Sequence, residues 1–277
     1  MKLVETIMVI WTILALTFLV LTVTILGYPR VTFPRQLSIE GVENPEVVQA
    51  YDRISRWPQF KLMRRMIVNE LKKNHPKGIL VDVGCGPGYL VTVITRELPH
   101  LHVIGVDIAR EMIEVAAHNL SSLGLSEHVE FRQGDVQKLP FEDNAVDFVV
   151  STLSLHHWSD PKHALQEIYR VLKPEGQFLL FDLRRDGRRF FYWLLRFAQK
   201  FIVPAALRHI NEPIGSALSS YTPFELETLL SETPFQQWRI KPGIGWMFVW
   251  GCKGSLPPTR KVAGPMGFEP TTFSSAG

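Results

Sequence analysis

Apolar and polar positions divide the chain into three unlike stretches. From Thr6 to Leu26 run 21 consecutive uncharged, mostly apolar residues. At about 1.5 Å per residue a helix of that length matches the roughly 30 Å of a bilayer core, which predicts a single transmembrane helix and a membrane anchor over residues 1–29. A cleaved signal peptide is the competing reading, but the run is longer than a usual signal core and lacks an A-x-A-like cleavage site. Lys2 precedes the span and Arg30, Arg35, Arg53 and Arg56 follow it, a bias that puts the long C-terminal side in the cytoplasm.

From about Glu40 to Gly254 the pattern changes to short β-branched runs alternating with amphipathic segments. Buried strands are predicted at 78–83, 102–107, 128–132, 145–151 and 177–183. Between them Met112, Val115, Ala116, Leu120 and Leu123 share one helical face before Gly124, and Ala164, Leu165, Ile168, Val171 and Leu172 share another after the N-cap pair Asp160-Pro161. Thr222-Pro-Phe-Glu225 is a capping-box signature. Two last strands, about 236–241 and 246–252, flank the turn signal Pro242-Gly243. Strand alternating with helix, ending in a hairpin, predicts an α/β fold: a doubly wound, Rossmann-like, mostly parallel sheet with a terminal antiparallel hairpin and its ligand crevice at the carboxyl ends of the strands. The domain is set at 30–254. Residues 255–277, rich in Pro, Gly, Ser and Thr without periodicity, are expected to form a disordered tail. Gly267-Phe-Glu-Pro270 is also a string that the complement of a transfer-RNA T-arm encodes, so no function is expected of it.

Composition adds mainly exclusions. The 277 residues are 46% hydrophobic and 21% charged, which excludes a disordered chain or a charged coil. Cys85 and Cys252 are the only cysteines, too few for a disulfide framework and without zinc-site spacing, so no metal is expected. Thirty basic against 27 acidic residues give no general case for nucleic acid.

Candidate chemistry begins where the first strand, ending in Val81-Asp82-Val83, enters Gly84-Cys85-Gly86-Pro87-Gly88 and then a helical run. Glycines there allow a tight turn and let a ligand approach the backbone, and the helix N-terminus offers free N–H donors. A dinucleotide fingerprint would need its third glycine at Tyr89, which disfavours NAD.

Several further motifs follow in order, and together they resemble the class I S-adenosylmethionine-dependent methyltransferases of the small-molecule and lipid type. Val81-Asp-Val-Gly-Cys-Gly-Pro-Gly88 is similar to the first motif of that family and Gly105-Val-Asp107-Ile108 to the second. Gln133-Gly-Asp135-Val136 with Leu139-Pro-Phe-Glu-Asp143 is similar to the third. Val146-Asp-Phe-Val149 with Leu155-His-His157 is similar to the fourth, and Arg170-Val-Leu-Lys-Pro-Glu-Gly176 precedes the fifth strand. The resemblance covers roughly residues 76–183. It implies S-adenosyl-L-methionine as cofactor: Gly84, Gly86 and Gly88 making room for its methionyl part, Asp82 supporting the turn, Asp107 accepting from both ribose hydroxyls, Ile108 packing on the adenine, and Asp135 with the Val136 backbone meeting the adenine amino group. Glu175 departs from the pattern, standing where the family commonly has glycine, in a turn expected to face away from the crevice.

Methyl transfer from a sulfonium needs alignment more than acid–base help, and no catalytic residue is assigned. His156 and His157, at the crevice edge, are candidates to deprotonate or orient an acceptor hydroxyl, or else a structural pair. Tyr51, on a helix preceding the first strand that should cover the site, is a candidate for contact with cofactor or acceptor. The insert 184–220 opens with Arg184-Arg-Asp-Gly-Arg-Arg-Phe-Phe-Tyr-Trp-Leu-Leu-Arg-Phe-Ala-Gln-Lys200, whose interleaved basic and aromatic residues fit either an interfacial helix on an anionic membrane or a lid over the domain. No RNA-binding motif accompanies them. The expectation is a membrane-anchored methyltransferase acting on a small, lipophilic acceptor, with a non-catalytic cofactor-binding membrane scaffold as the alternative.

Overall fold

A computed structural model describes residues 2–27, 29–37, 44–125 and 129–254. The expected tail at 255–277 and the first residue of the expected third strand lie outside the described residues, as do the side chains of residues 2–5, 21 and 24–26 in the first helix.

Seven strands make one sheet in the order β3-β2-β1-β4-β5-β7-β6: β1 (Ile79–Val83), β2 (His102–Asp107), β3 (Val129–Gln133), β4 (Val146–Thr152), β5 (Leu172–Leu183), β6 (Gln237–Pro242) and β7 (Trp246–Cys252). The first five are parallel; β7 runs antiparallel between β5 and β6. Parallel strands covered on both faces need apolar side chains at successive positions, and the alternation is visible residue by residue. Val81, Val83 and Val149 point into one core with Leu165, Ile168, Leu226 and Phe235. Leu80, Phe148 and Val150 point into the other with Ile67, Leu71, Val91 and Ile94.

The helices are α1 (Lys2–Gly27), α2 (Pro45–Ser55), α3 (Pro58–Lys72), α4 (Tyr89–Glu97), α5 (Arg110–Ser121), α6 (Pro161–Val171), α7 (Arg189–Phe201), α8 (Ala205–His209), α9 (Ile214–Ser219) and α10 (Pro223–Ser231). The Asp160 side chain caps α6, and Thr222 with Glu225 closes a capping box on α10, each as the sequence predicts. β5 begins five residues before its expected start, because Leu172 already pairs with Val146 ahead of a register shift. Glu175 lies in that extension with φ 66°, its N–H donating to the Lys253 carbonyl at 2.6 Å. This is the left-handed conformation that favours glycine, and it sits at the amino end of β5, away from the crevice.

The insert folds into α7, α8 and α9. Residues 29–37 cross it as an extended strap: Val31 N–H donates to the Gly187 carbonyl, Arg189 N–H to Pro29, and Gln36 N–H to Leu218. The buried Arg185 guanidinium donates to the carbonyl of Phe33, to that of Ser220 and to the Glu225 carboxylate.

Among the described residues, no helix is long and apolar enough to cross a membrane. The transmembrane helix expected at 6–26 is therefore not shown. The 26-residue backbone of α1 is helical throughout, but its side chains are described without a break only for Thr6 to Val20, a run of about 22 Å at 1.5 Å per residue. Ile10, Trp11, Phe18 and Leu19 in that run are more than half exposed.

Candidate active site

The carboxyl ends of β1, β2, β4 and β5 open into a cavity of about 660 Å³ walled also by α2, α3, α7 and α8. Every residue expected to hold the cofactor except Gly88 lines it: Asp82, Gly84, Gly86, Asp107, Ile108, Asp135 and Val136. Gly88 sits at the start of α4, behind the loop.

Gly84, Gly86 and Gly88 have φ of 72°, 50° and 78°, so the turn needs residues without a Cβ. A Cβ at Gly84 would stand 2.4 Å from Ser154 Oγ, and one at Gly88 2.9 Å from Ala116 Cβ. At Gly86 it would meet no protein atom within 4 Å and would project into open space at the cavity wall.

Asp107, at the end of β2, is 8% exposed. One carboxylate oxygen accepts the Gly86 N–H at 2.8 Å and the other the Ala109 N–H at 3.0 Å. The carboxylate is thus fixed against the glycine loop, with each oxygen keeping acceptor capacity for a second donor. Burial raises its pKa, and the backbone bonds partly offset that. Asp82 is 1% exposed, and neither of its buried oxygens has a hydrogen-bond partner among the described residues. Burial first, and the Asp107 charge second, push its pKa up to about 8. A buried, unpartnered carboxylate facing a cavity is costly alone and is satisfied by a cationic donor. The expected role of Asp82, supporting the turn, is not what its bonds show. The Asp135 carboxylate accepts the Gln137 N–H at 2.9 Å, holding the turn after β3 against the cavity. These residues fit an α-amino acid bearing an adenosine: a cation for Asp82, a diol for Asp107 and a ring for Ile108, Asp135 and Val136.

α2 lies over this loop and brings Tyr51 to the cavity. Asp52 is the tie. It accepts from Tyr89 Oη at 2.9 Å and from Asn119 Nδ2 at 2.9 Å, and pairs with Arg56, which also donates to Tyr89 Oη. Tyr89, where a dinucleotide site would have glycine, thus fastens a lid helix.

On the far side of the loop, a 3-10 turn at Leu155–His157 places His156 at 2% exposure. Its Nδ1 is 2.7 Å from Asp182 Oδ1, and its backbone N–H donates to Asp182 Oδ2 at 3.0 Å. Asp182, near the end of β5, is 1% exposed. The His157 ring lies tilted against that of His156, 4.1 Å between centroids, and burial, then the neighbouring His156, push its pKa down to about 3. The histidine pair was legible in the sequence but Asp182 was not, because only the pairing of β4 with β5 brings it under His156. The available signal was an acid interrupting the apolar run of 177–183.

Comparison with known proteins bears on this arrangement. A family described as a methyltransferase domain matches residues 81–180. A demethylmenaquinone methyltransferase of Symbiobacterium thermophilum is 31% identical over 173 residues, 58% of this chain and 69% of that protein. The chain belongs to the class I S-adenosylmethionine-dependent methyltransferases. An uncharacterised methyltransferase of Bacillus subtilis is 38% identical over 103 residues, 37% of this chain, and the chain spans 40% of that protein's length. In solved structures, the fold is shared with an S-adenosyl-L-methionine-dependent methyltransferase of Methanococcus maripaludis at a TM-score of 0.60 and 21% identity, covering 77% of this chain and 94% of that one. The cofactor of this family is S-adenosyl-L-methionine.

Beyond the cofactor residues the cavity turns apolar. Trp57, Phe60 and Met63 approach from α3 and the turn before it, Phe191, Leu195 and Ala198 from α7, and Leu207 from α8. Glu212, accepting from Ser216 Oγ at 2.6 Å, is a buried polar group on the same wall.

Proposed function

We propose that this methyltransferase acts on a lipophilic, hydroxyl-bearing acceptor that it meets at a membrane, to which α1 anchors it. The observation that carries the reading is the apolar part of the cavity, continuous with the crevice at the strand ends, with His156 also in its lining. An aromatic and aliphatic wall of this kind suits a greasy ring or chain and leaves orientation to a few polar groups. A lipophilic acceptor also agrees with the Symbiobacterium relative, which by its name acts on demethylmenaquinone. The exposed apolar side chains of α1, continued by the apolar sequence to Leu26, support the anchor, with the domain on the cytoplasmic side.

The residues divide the work. Gly84 and Gly86 leave backbone room for the methionyl part, Asp82 takes the amino cation, Asp107 the diol, and Asp135 with Ile108 and Val136 the base. When bound, the cofactor supplies a methyl group already activated on a sulfonium. Asp182 holds His156 with Nδ1 toward the carboxylate, the arrangement that sets the tautomer of a histidine base. His156 then takes the proton from the acceptor hydroxyl, which raises the nucleophilicity of that oxygen and of any ring carbon conjugated with it. The α3 and α7 side chains exclude water, and the positioning they provide contributes most of the rate.

The test is transfer of label from methyl-labelled S-adenosylmethionine by the full chain, embedded in bilayers, into a membrane lipid extract. Labelled product in the organic phase is expected, and its identification shows the methylated atom. Cofactor binding without any labelled product would instead favour a scaffold.

A further inference from the structure

We propose that the outer face of α7 docks on an anionic membrane surface, so that one wall of the acceptor cavity is itself the membrane-contact element. This rests on the reading above that the acceptor is met at a membrane, and it specifies which surface does the meeting.

Three arcs divide α7 when its residues are set at about 100° per step. Phe191, Leu195 and Ala198 face inward and line the cavity, beside the buried Tyr192, whose hydroxyl donates to the Arg185 carbonyl at 2.5 Å. Trp193, Leu194, Phe197 and Phe201 occupy a second arc and are 60%, 44%, 43% and 65% exposed. Their rings form a column with Phe190: centroids are 5.8 Å apart for Phe190 and Trp193, 5.9 Å for Trp193 and Phe197, and 5.0 Å for Phe197 and Phe201. Arg189, Arg196 and Lys200, all exposed, fill the third arc directly beside the aromatic one. No acidic residue lies on the helix.

An apolar stripe flanked on one side by cations alone matches an anionic interface, with rings at headgroup depth and cations among the lipid phosphates. Continuity argues for the same occupant. Pro29, two residues beyond the end of α1, accepts the Arg189 N–H at 3.0 Å, and the strap runs on along Gly187 and Arg185. The amino end of α7 is therefore tied to the chain two residues past the end of α1. A hydrophobic acceptor leaving the bilayer then needs only to pass around one helix to reach the cavity.

The test uses the full chain reconstituted in phosphatidylcholine vesicles with and without phosphatidylserine, carrying a nitroxide at Phe197→Cys. Cys85 and Cys252 are buried, so the label goes to the new thiol. A second sample carries it at the exposed Thr228→Cys on α10. With phosphatidylserine present, the label at 197 is expected to become accessible to lipid-dissolved oxygen and shielded from an aqueous nickel chelate, while the label at 228 stays aqueous. Arg189→Glu, Arg196→Glu and Lys200→Glu together should return the label at 197 to the aqueous phase. The proposal is overturned by a label at 197 that behaves like the one at 228, by burial that does not depend on phosphatidylserine, or by spin–spin broadening in detergent, which would put a second copy on this face. Calorimetric binding of S-adenosylhomocysteine to the same samples reports the cofactor site separately, so failure of the methyltransferase reading and failure of the docking face are told apart.

Discussion

A carboxylate stripped of water is a poor anion until a cation joins it, and Asp82 sets the pH behaviour of the site for that reason. Its pKa is raised from 3.8 to about 8 in the folded protein. The native chain therefore holds a proton that the unfolded chain has released across this window. The associated stability is complete below the unfolded pKa and is lost as pH rises toward about 8. Asp107 shifts in the same direction. Binding of a cationic amino group beside Asp82 should reverse the preference and expel the proton. Cofactor affinity should accordingly rise between about pH 6 and pH 8 with fractional proton release, measurable by calorimetry in buffers of different ionisation enthalpy; Asp82→Asn should abolish most of that release. Asp182→Asn addresses the other carboxylate. Loss of the partner that fixes His156 should lower kcat by about 100-fold and flatten its pH profile, while leaving cofactor affinity unchanged. An equal loss in affinity would make Asp182 merely structural.

At the scale of elements, the site is a strand-end crevice closed by two unrelated lids. α2 is fastened over the glycine loop through Asp52, a side chain outside the motifs, to Tyr89 on α4 and Asn119 on α5. Asp52→Ala should raise the cofactor dissociation rate by about 10-fold, equivalent to about 1.4 kcal/mol, read by stopped-flow release, with the association rate little altered. The second lid, α7 with α8, bounds the acceptor half of the cavity. Its interleaved basic and aromatic residues fit both a lid packed on the domain and a helix on a membrane; in the structure Phe191 and Leu195 turn inward to the cavity while Trp193 and Phe197 are exposed. A periodic pattern with two apolar arcs leaves the direction of burial undetermined, and the partner surfaces decide it.

For the whole molecule, the strap at residues 29–37 mechanically couples the first helix to the methyltransferase domain through Arg185, whose bonds reach Phe33, Ser220 and Glu225. Deleting residues 2–27 while keeping the strap should leave cofactor affinity and melting temperature near those of the full chain. Activity on a bilayer-embedded acceptor should fall by at least about 10-fold through lost effective concentration. Equal activity of the truncated and full chains on such an acceptor would remove the anchoring role.

The sequence by itself determined the strands of the sheet, the glycine loop and the helix starts at Asp160 and Thr222. These features are encoded locally, by β-branched runs, by glycines at positive φ, and by Asp160 and Thr222 at helix starts. Elements whose bonds close within a few residues leave their signature in adjacent positions. Only the tertiary structure decided the partners of those residues: Asp182 beneath His156 through the β4–β5 pairing, Asp52 beneath Tyr89 through a lid 37 residues away, and Asp82 as an unsatisfied buried acid rather than a turn support. Such contacts depend on which strands and helices become neighbours, and that is set by burial across the whole sheet, which no short stretch of the chain contains.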